Sequence, residues 1–224
     1  MYSHIKGLGE IDISEITKAN NGAVPCNVFS RYTDECTLLP GGFATTAYAF
    51  EEFLTFNSLH SILNNLMLQM DRESFSNLEE TGLGARQLLL DATFPQNLQF
   101  AIVRAWKELG DPHDVEVIVT SNVIPGDLST AGIPGQQERF QHINDEITLL
   151  TSVKKCFASL YSDSAIRYRE HNGFAHMKMA VTVSVVKMMR TNEVPGNIGF
   201  IQKPIPAFGD IVTVNDNRKL RQVY

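Results

Sequence analysis

The sequence has few of the side chains that hold small domains together through cross-links or metal ions. Its three cysteines, Cys26, Cys36 and Cys156, are an odd number with wide spacing. This pattern argues against a disulfide framework and lacks the paired spacing of a zinc site. The histidines are scattered too, and His171 and His176, the nearest pair, enclose an Asn-Gly turn signal. We therefore expect unpaired thiols and no metal centre built on these residues.

An excess of positive charge and long apolar runs are also missing. The net charge of -6 gives no basic patch of the kind that binds nucleic acid. Apolar stretches stop well short of the ~20 residues that span a bilayer, and the N-terminus lacks the apolar core of a signal peptide. These absences predict a soluble, cytoplasmic protein without nucleic-acid or membrane partners. The length of 224 residues suffices for one large domain or two small lobes.

Apolar residues at spacings of three and four predict most of the helices. A helix that begins near Pro95 should end at Gly110, because glycine terminates helices readily. A short helix should carry Ala165 to Arg169. The buried stripes predicted for the four longer helices are Ala47, Phe50, Phe53 and Leu54; Ile62, Leu63, Leu66 and Met70; Leu98, Ala101, Ile102, Ala105 and Leu109; and Ile147, Leu150, Val153, Phe157 and Leu160.

Short β-branched runs predict strands, most of them late in the chain. VEVIVTS, which begins at Val115, is one strand. MAVTVSVVKMM, which begins at Met179, is rich in β-forming residues on both faces and should be central in its sheet. GNIGFI and DIVTV should pair as neighbouring strands. The class is therefore mixed α and β, with a lobe boundary near residues 110–115.

Four sequence blocks, in this order, carry a family resemblance. They are PGGFATTAYAFEEFL from Pro40, GLGARQLLLDATFPQNLQFAIVRAWKEL from Gly82, GQQERF from Gly135, and FASLYSDSAIRYREHNGF from Phe157. Taken alone, the first is a turn entering a helix that Thr45 or Thr46 caps, and the third is a polar loop leading to a helix. Together they resemble the N-terminal nucleotide-binding domain of the phosphoenolpyruvate synthase (pyruvate, water dikinase) and pyruvate phosphate dikinase family.

The resemblance implies an α+β, ATP-grasp-like fold with two lobes, and residues 1–224 then form a single domain whose second lobe is incomplete. In that family the domain passes a phosphoryl group from ATP, with magnesium, to a histidine on a separate swivelling domain. That histidine then phosphorylates pyruvate in a third domain. Neither of the latter domains has a counterpart in this sequence.

The family's nucleotide-contacting positions are altered in this chain. Ungapped counting places Asn21 at the lysine of V-G-G-K-N-A and Thr120 at the arginine of V-R-S-S-A-T-A-E-D. Threonine lacks the arginine fork that grips phosphate oxygens at two points. Gly126 replaces the glutamate, Ser164 an arginine and Val186 a glutamine. The positions taken as nucleotide-binding by resemblance are Asn21, Thr120, Ser121, Asp127, Gln137 and Lys187.

These substitutions leave the function open between two hypotheses. The first is an ATP-binding, phosphoryl-donor domain that retains ATP and magnesium weakly and has weak or no kinase activity alone. The alternative is a non-catalytic pseudoenzyme that acts as a protein-binding or regulatory partner or forms a homo-oligomer. The matched polar residues Arg86, Gln136, Gln137 and Arg169 also keep two interpretations, as structural hydrogen-bonders or as ligand contacts.

Overall fold

The helices cover one face of an antiparallel sheet. The computed structural model describes residues 4–7, 41–111, 115–125, 138–188, 199–204 and 210–215. Within these ranges the helices are α1 Ala47–Phe56, α2 Leu59–Leu68, α3 Leu78–Asp91, α4 Gln96–Lys107, α5 Glu146–Ala158 and α6 Asp163–His171. Short 3-10 segments follow at Ser159–Tyr161 and His176–Lys178. The strands are β1 Ile5–Gly7, β2 Gly42–Thr45, β3 Val117–Pro125, β4 Arg139–Ile143, β5 Met179–Lys187, β6 Gly199–Pro204 and β7 Asp210–Asn215.

Five of these strands form one sheet, and every pairing in it is antiparallel. Their order is β1-β2-β5-β3-β4, which places β5 at the centre. The prediction of a central strand from Met179 is therefore confirmed. β6 and β7 pair with each other in a separate two-stranded sheet, as predicted, with Gly199 opposite Asn215 and Pro204 opposite Asp210. The α+β class is likewise confirmed.

The core lies between the sheet and the helices, because successive strand residues point to opposite faces. Val181, Val183 and Val185 of β5 are fully buried on the helical side. Phe157 of α5 fills the centre of this layer, where its ring contacts those of Phe50, Phe53 and Phe94. One buried cluster includes residues on both sides of 110–115.

The predicted helices are confirmed. Some residues that we predicted to be buried near the start of a helix are instead exposed. Ile147 is 79% exposed, whereas Leu149 is buried. In α2, Ile62 is 45% exposed and Met67 is buried instead. Ile147 and Leu149 are two residues apart, which places their side chains about 200° apart around the helix axis. An apolar residue in the first turn can therefore fit the helical spacing and still point to solvent. Ala47 is exposed for the same reason.

Four elements were not predicted, and the three-residue strand β1 is one of them. α3 contains Gly82 and Gly84, which lower helix propensity. β2 occupies part of the segment expected to be a turn, and β4 occupies part of the segment expected to be a polar loop. Both strands are short, and neither has a clean alternation of apolar and polar residues. Their pairing with distant strands determines their conformation.

We expect Thr46→Ala to lower the free energy of unfolding by about 1 kcal/mol, because Thr46 caps α1. Its Oγ1 accepts a hydrogen bond from the backbone N of Ala49 at 3.3 Å, which confirms one of the two predicted caps. Urea unfolding measures the loss. Thr46→Ser is the control, since it keeps the hydroxyl and should retain most of the stability; an equal loss in both variants would contradict a capping role.

Candidate functional site

The two faces of the five-stranded sheet differ in chemistry. The first packs against the helices through valine side chains. The second bears smaller and more polar residues, which are partly exposed or near the surface. We call this second surface the polar face; its members on β2, β3, β4 and β5 are Ala44, Ile118, Thr120, Asn122, Arg139, Thr182, Ser184 and Val186.

A single row of paired residues crosses the polar face. Lys6 is in register with Ala44, Ala44 with Ser184, Ser184 with Thr120, and Thr120 with Arg139. Paired residues in an antiparallel sheet point to the same side, and neighbouring strands lie about 4.8 Å apart. The row therefore places two hydroxyl groups beside a guanidinium, with a small alanine on the other side. Nearby, the amide of Asn122 donates to Ser184 Oγ at 3.1 Å.

Arg139 supplies the guanidinium of this row from the edge strand β4. Its side chain is exposed. With the Gln141 amide oriented to satisfy its neighbours, the Gln141 oxygen accepts from Arg139 Nη2 at 3.0 Å and from Nε at 3.1 Å. This contact orients the side chain and leaves the Nη1 donors free of Gln141. A partly oriented guanidinium next to hydroxyls is suited to binding an oxyanion.

Ser121 lies on the opposite side of the sheet from Thr120 and is fully buried. Its hydroxyl accepts from the backbone N of Glu138 at 2.9 Å and from Ser159 Oγ at 3.3 Å. Ser121 thus joins β3 to the start of β4 and to the 3-10 segment after α5. These hydrogen bonds show a structural use for this predicted site residue.

Lys187 is at the end of β5, opposite Val117. Its backbone N donates to the carbonyl of Gly41 at 2.9 Å. Its Nζ lies near Gly110, 3.9 Å from where a Cβ on that residue would stand. Lys187 has the strand parity of the helical side, so the structure does not place it in the row with Thr120. Asn21, Asp127 and Gln137 lie outside the described residues, as do Gly126 and Gln136.

Arg86 has well-formed internal contacts. Its Nη1 donates to the carbonyl oxygen of Tyr161 and to Asp163 Oδ1, both at 2.8 Å. These bonds join α3 to the start of α6, and they favour the structural interpretation of this matched arginine. Arg169 is also buried, but among the described residues only its Nε has a hydrogen-bond partner, and Nη1 and Nη2 have none.

No cluster of carboxylates for a metal ion occurs in the part of the chain that the structure describes. Within these ranges, no three His, Cys, Asp or Glu side chains come together in a metal-binding arrangement. Magnesium prefers carboxylates together with phosphate oxygens. Burial raises the pKa of the Cys156 thiol far above its usual range, which keeps it protonated and unsuited to metal binding.

Sequence comparison identifies the kind of domain to which this sheet belongs. A family model described as "Pyruvate phosphate dikinase, AMP/ATP-binding domain" matches residues 32–219, which is most of the chain. The chain belongs to this family. The resemblance carried by the four sequence blocks is thereby confirmed. Of the helices in the described residues, none combines the length and apolar character that crossing a bilayer requires.

Curated relatives of this AMP/ATP-binding domain are much longer proteins. The chain is 39% identical over 180 residues to a phosphoenolpyruvate synthase from Synechocystis, covering 77% of the chain and 22% of the relative. It is 36% identical over 185 residues to one from Deinococcus radiodurans, covering 83% and 24%. A phosphoenolpyruvate synthase from Neisseria meningitidis is 33% identical over 193 residues, covering 85% and 24%. The chain thus spans about a quarter of their length.

Arg139 was missed as a site residue although the sequence contained a signal for it. It stands at the threonine of the A-G-Q-Q-E-T-F block, and Thr120 stands at the arginine of the V-R-S-S-A-T-A-E-D block. The structure places these two positions directly opposite each other on neighbouring strands. On the ungapped count, arginine and threonine would therefore have exchanged places across one strand pair relative to the family pattern. The local composition of side chains is the same in both arrangements.

Proposed function

We propose that this chain is an adenine-nucleotide-binding domain in which Arg139 binds the phosphates in place of an arginine at position 120. The observation that carries the proposal is the register of Thr120 with Arg139 on the polar face. Membership of the AMP/ATP-binding family supports the ligand class. Two neighbouring residues can present a guanidinium to the same point in space, because their Cα atoms lie only about 5 Å apart.

The chemistry of the row suits a phosphate chain. The guanidinium of Arg139 supplies charge and a fork of donors, and the hydroxyls of Thr120 and Ser184 can donate to further phosphate oxygens. The small side chain of Ala44 lets a ligand approach the sheet closely. Magnesium would arrive together with ATP, whose phosphate oxygens are ligands of the kind that it prefers.

The proposal has finer parts that follow from the family. The polar face would belong to an ATP-grasp-like, two-lobed domain formed by residues 1–224, with a lobe boundary near 110–115. Asn21, Asp127 and Gln137 remain proposed contributors to the site. Lys187 has the strand parity of the helical side, and the buried hydroxyl of Ser121 supports β3, so neither belongs to the proposed phosphate site. Phosphoryl transfer by this chain alone would be weak or absent, because the uncharged Asn21 stands where the resemblance puts a phosphate-binding lysine.

We expect Arg139→Thr to weaken ATP binding about 10-fold, as a lost charge-assisted hydrogen bond costs about 1.5 kcal/mol or more. Isothermal titration calorimetry with ATP and magnesium measures the affinity. The decisive variant is Thr120→Arg combined with Arg139→Thr, which returns the arginine to the family position and should recover most of the lost affinity. Arg104→Thr is the matched control: this arginine is exposed on α4, pairs with Glu108 and should leave affinity unchanged.

Two results would contradict the proposal. An affinity unchanged by Arg139→Thr would show that the phosphates do not meet this guanidinium, even if ATP binds elsewhere on the chain. No heat at millimolar ATP from folded wild-type chain would exclude nucleotide binding altogether. The second result would favour the alternative function, a non-catalytic protein-binding or regulatory partner.

A further inference from the structure

A second polar site lies away from the polar face, in a cavity between α2 and the end of α6. The cavity has a volume of about 330 Å³. Its apolar wall includes Met67 and Leu68 of α2 together with Phe174 and Met177. Its polar wall is formed by Arg72, Arg169, Glu170 and His176. The volume is far more than the roughly 10–15 Å³ that one water molecule needs.

Arg169 is the largest fully buried side chain of the described residues, and its guanidinium is only partly satisfied. Its Nε donates to His176 Nδ1 at 2.8 Å. Nη1 and Nη2 are buried and have no protein acceptor in the described part of the chain. Arginine remains charged in proteins, and an uncompensated buried charge is costly. The guanidinium is thus a cationic fork that lacks its anion and borders the cavity. Its Nη atoms have almost no exposed surface, so a ligand reaches them only when a lining side chain moves aside.

The nearest carboxylate is already engaged by other groups. Glu170 Oε1 accepts from His176 Nε2 at 2.6 Å and lies 3.6 Å from Arg72 Nε. Since His176 accepts at Nδ1 and donates at Nε2, it is the neutral tautomer. Burial and the neighbouring Arg169 charge lower the pKa of His176 despite its bond to Glu170. This chain of hydrogen bonds positions Glu170 on the histidine and leaves the two Nη groups without it.

The charges and lining select the class of ligand. Arg169 and Arg72 carry two positive charges and Glu170 one negative charge, so a monoanion would make the cavity neutral. A phosphate dianion would leave a negative charge close to Glu170, in a setting of low dielectric. A planar carboxylate matches the two parallel donors of a guanidinium fork. The apolar wall suits a short hydrocarbon tail.

We propose that this cavity binds a small monocarboxylate with an apolar tail, held by Nη1 and Nη2 of Arg169. The site is independent of the nucleotide proposal, because none of its residues lies on the polar face. The buried guanidinium forms the floor and the side chains of α2 and Phe174 surround the tail. Binding would offset the cost of burying the charge, so the ligand would also stabilise the fold.

Thermal unfolding of the full chain, in a buffer free of carboxylates and phosphate, tests the proposal. Sodium butyrate should raise the Tm saturably, whereas sodium chloride and sodium phosphate at equal ionic strength should not. Titration with butyrate should also shift the side-chain NMR signals of Arg169 along the same saturation curve. A non-saturable effect of butyrate, or an equal effect of phosphate, would overturn the proposal.

Variants locate the effect on Arg169. Arg169→Lys keeps the charge but loses the fork and should abolish the saturable response, whereas Arg167→Lys, at an exposed position of the same helix, should retain it. Should Arg169→Lys not fold, Ala175 decides, because it lines the cavity and is exposed. Ala175→Asp adds a competing carboxylate and should weaken butyrate binding at least several-fold relative to Ala175→Asn. An equal butyrate affinity in those two variants would count against the site.

Discussion

Phe157→Ala is expected to lower the free energy of unfolding by about 3–5 kcal/mol, which is the range for emptying a fully buried phenylalanine position. Its side chain has no solvent exposure. Its ring centroid lies 5.1 Å from that of Phe50, 5.3 Å from that of Phe53 and 6.3 Å from that of Phe94. The substitution therefore removes both apolar burial and three aromatic contacts that join α5 to α1 and to the segment before α4.

Phe100→Ala is the matched control for this prediction. Phe100 lies on α4 and is 67% exposed, so the same chemical change there should alter stability by no more than about 0.5 kcal/mol. Urea unfolding, followed by far-UV circular dichroism, measures both variants with the same slope analysis. A loss below about 1 kcal/mol for Phe157→Ala would mean that α5 does not present this residue to the core.

The interior of the helical layer was predictable from sequence because helix periodicity is local. Phe50, Phe53 and Leu54 are spaced at three and four and all are buried on α1. The same pattern misled at Ile147, which is 79% exposed although Leu149 in the same first turn of α5 is buried. A periodic stripe determines which face is apolar, but the packing partners determine where along the helix burial begins.

In the five-stranded sheet, the central position of β5 could be predicted because the composition of that strand indicates it. β5 has β-branched residues on both of its faces, which is typical of a central strand. β2 is held in place partly by Thr45, whose Oγ1 accepts from the backbone N of Val183 at 2.9 Å, across 138 positions of sequence. Such a contact has no local signature, so a four-residue strand that contains glycine resembles a turn.

The candidate site, too, could not be predicted from the sequence, because it depends on which residues of distant segments lie opposite each other. Thr120 on its own indicates a lost phosphate contact, because a family position that held arginine now holds threonine. Arg139 on its own is an exposed arginine on an edge strand. Only the register of β3 with β4 makes these two substitutions one exchange. The lack of hydrogen-bond partners for the Nη groups of Arg169 could likewise not be predicted from the sequence, because it depends on how His176 and Glu170 pair around them.

Gly82→Ala is expected to destabilise the protein by about 2 kcal/mol, although alanine favours helices, because the position on α3 is overpacked. A Cβ there would stand 2.6 Å from Asp163 Oδ1, 3.0 Å from Arg86 Nη1 and 3.2 Å from the backbone oxygen of Tyr161. The first two atoms belong to the ion pair that joins α3 to α6. Moving them apart exposes this link to water, and the backbone oxygen cannot move independently of the 3-10 segment.

Gly84→Ala, two residues further along the same helix, should have the opposite sign. A Cβ at Gly84 would meet nothing within 4 Å, so the variant gains helix propensity without a clash and should be more stable by about 1 kcal/mol. Urea unfolding of both variants gives the difference, which cancels the shared change in helix propensity. If both substitutions stabilise to the same extent, α3 does not lie against the Arg86–Asp163 pair. A destabilising Gly84→Ala would instead mean that α3 is rotated about its axis relative to this packing.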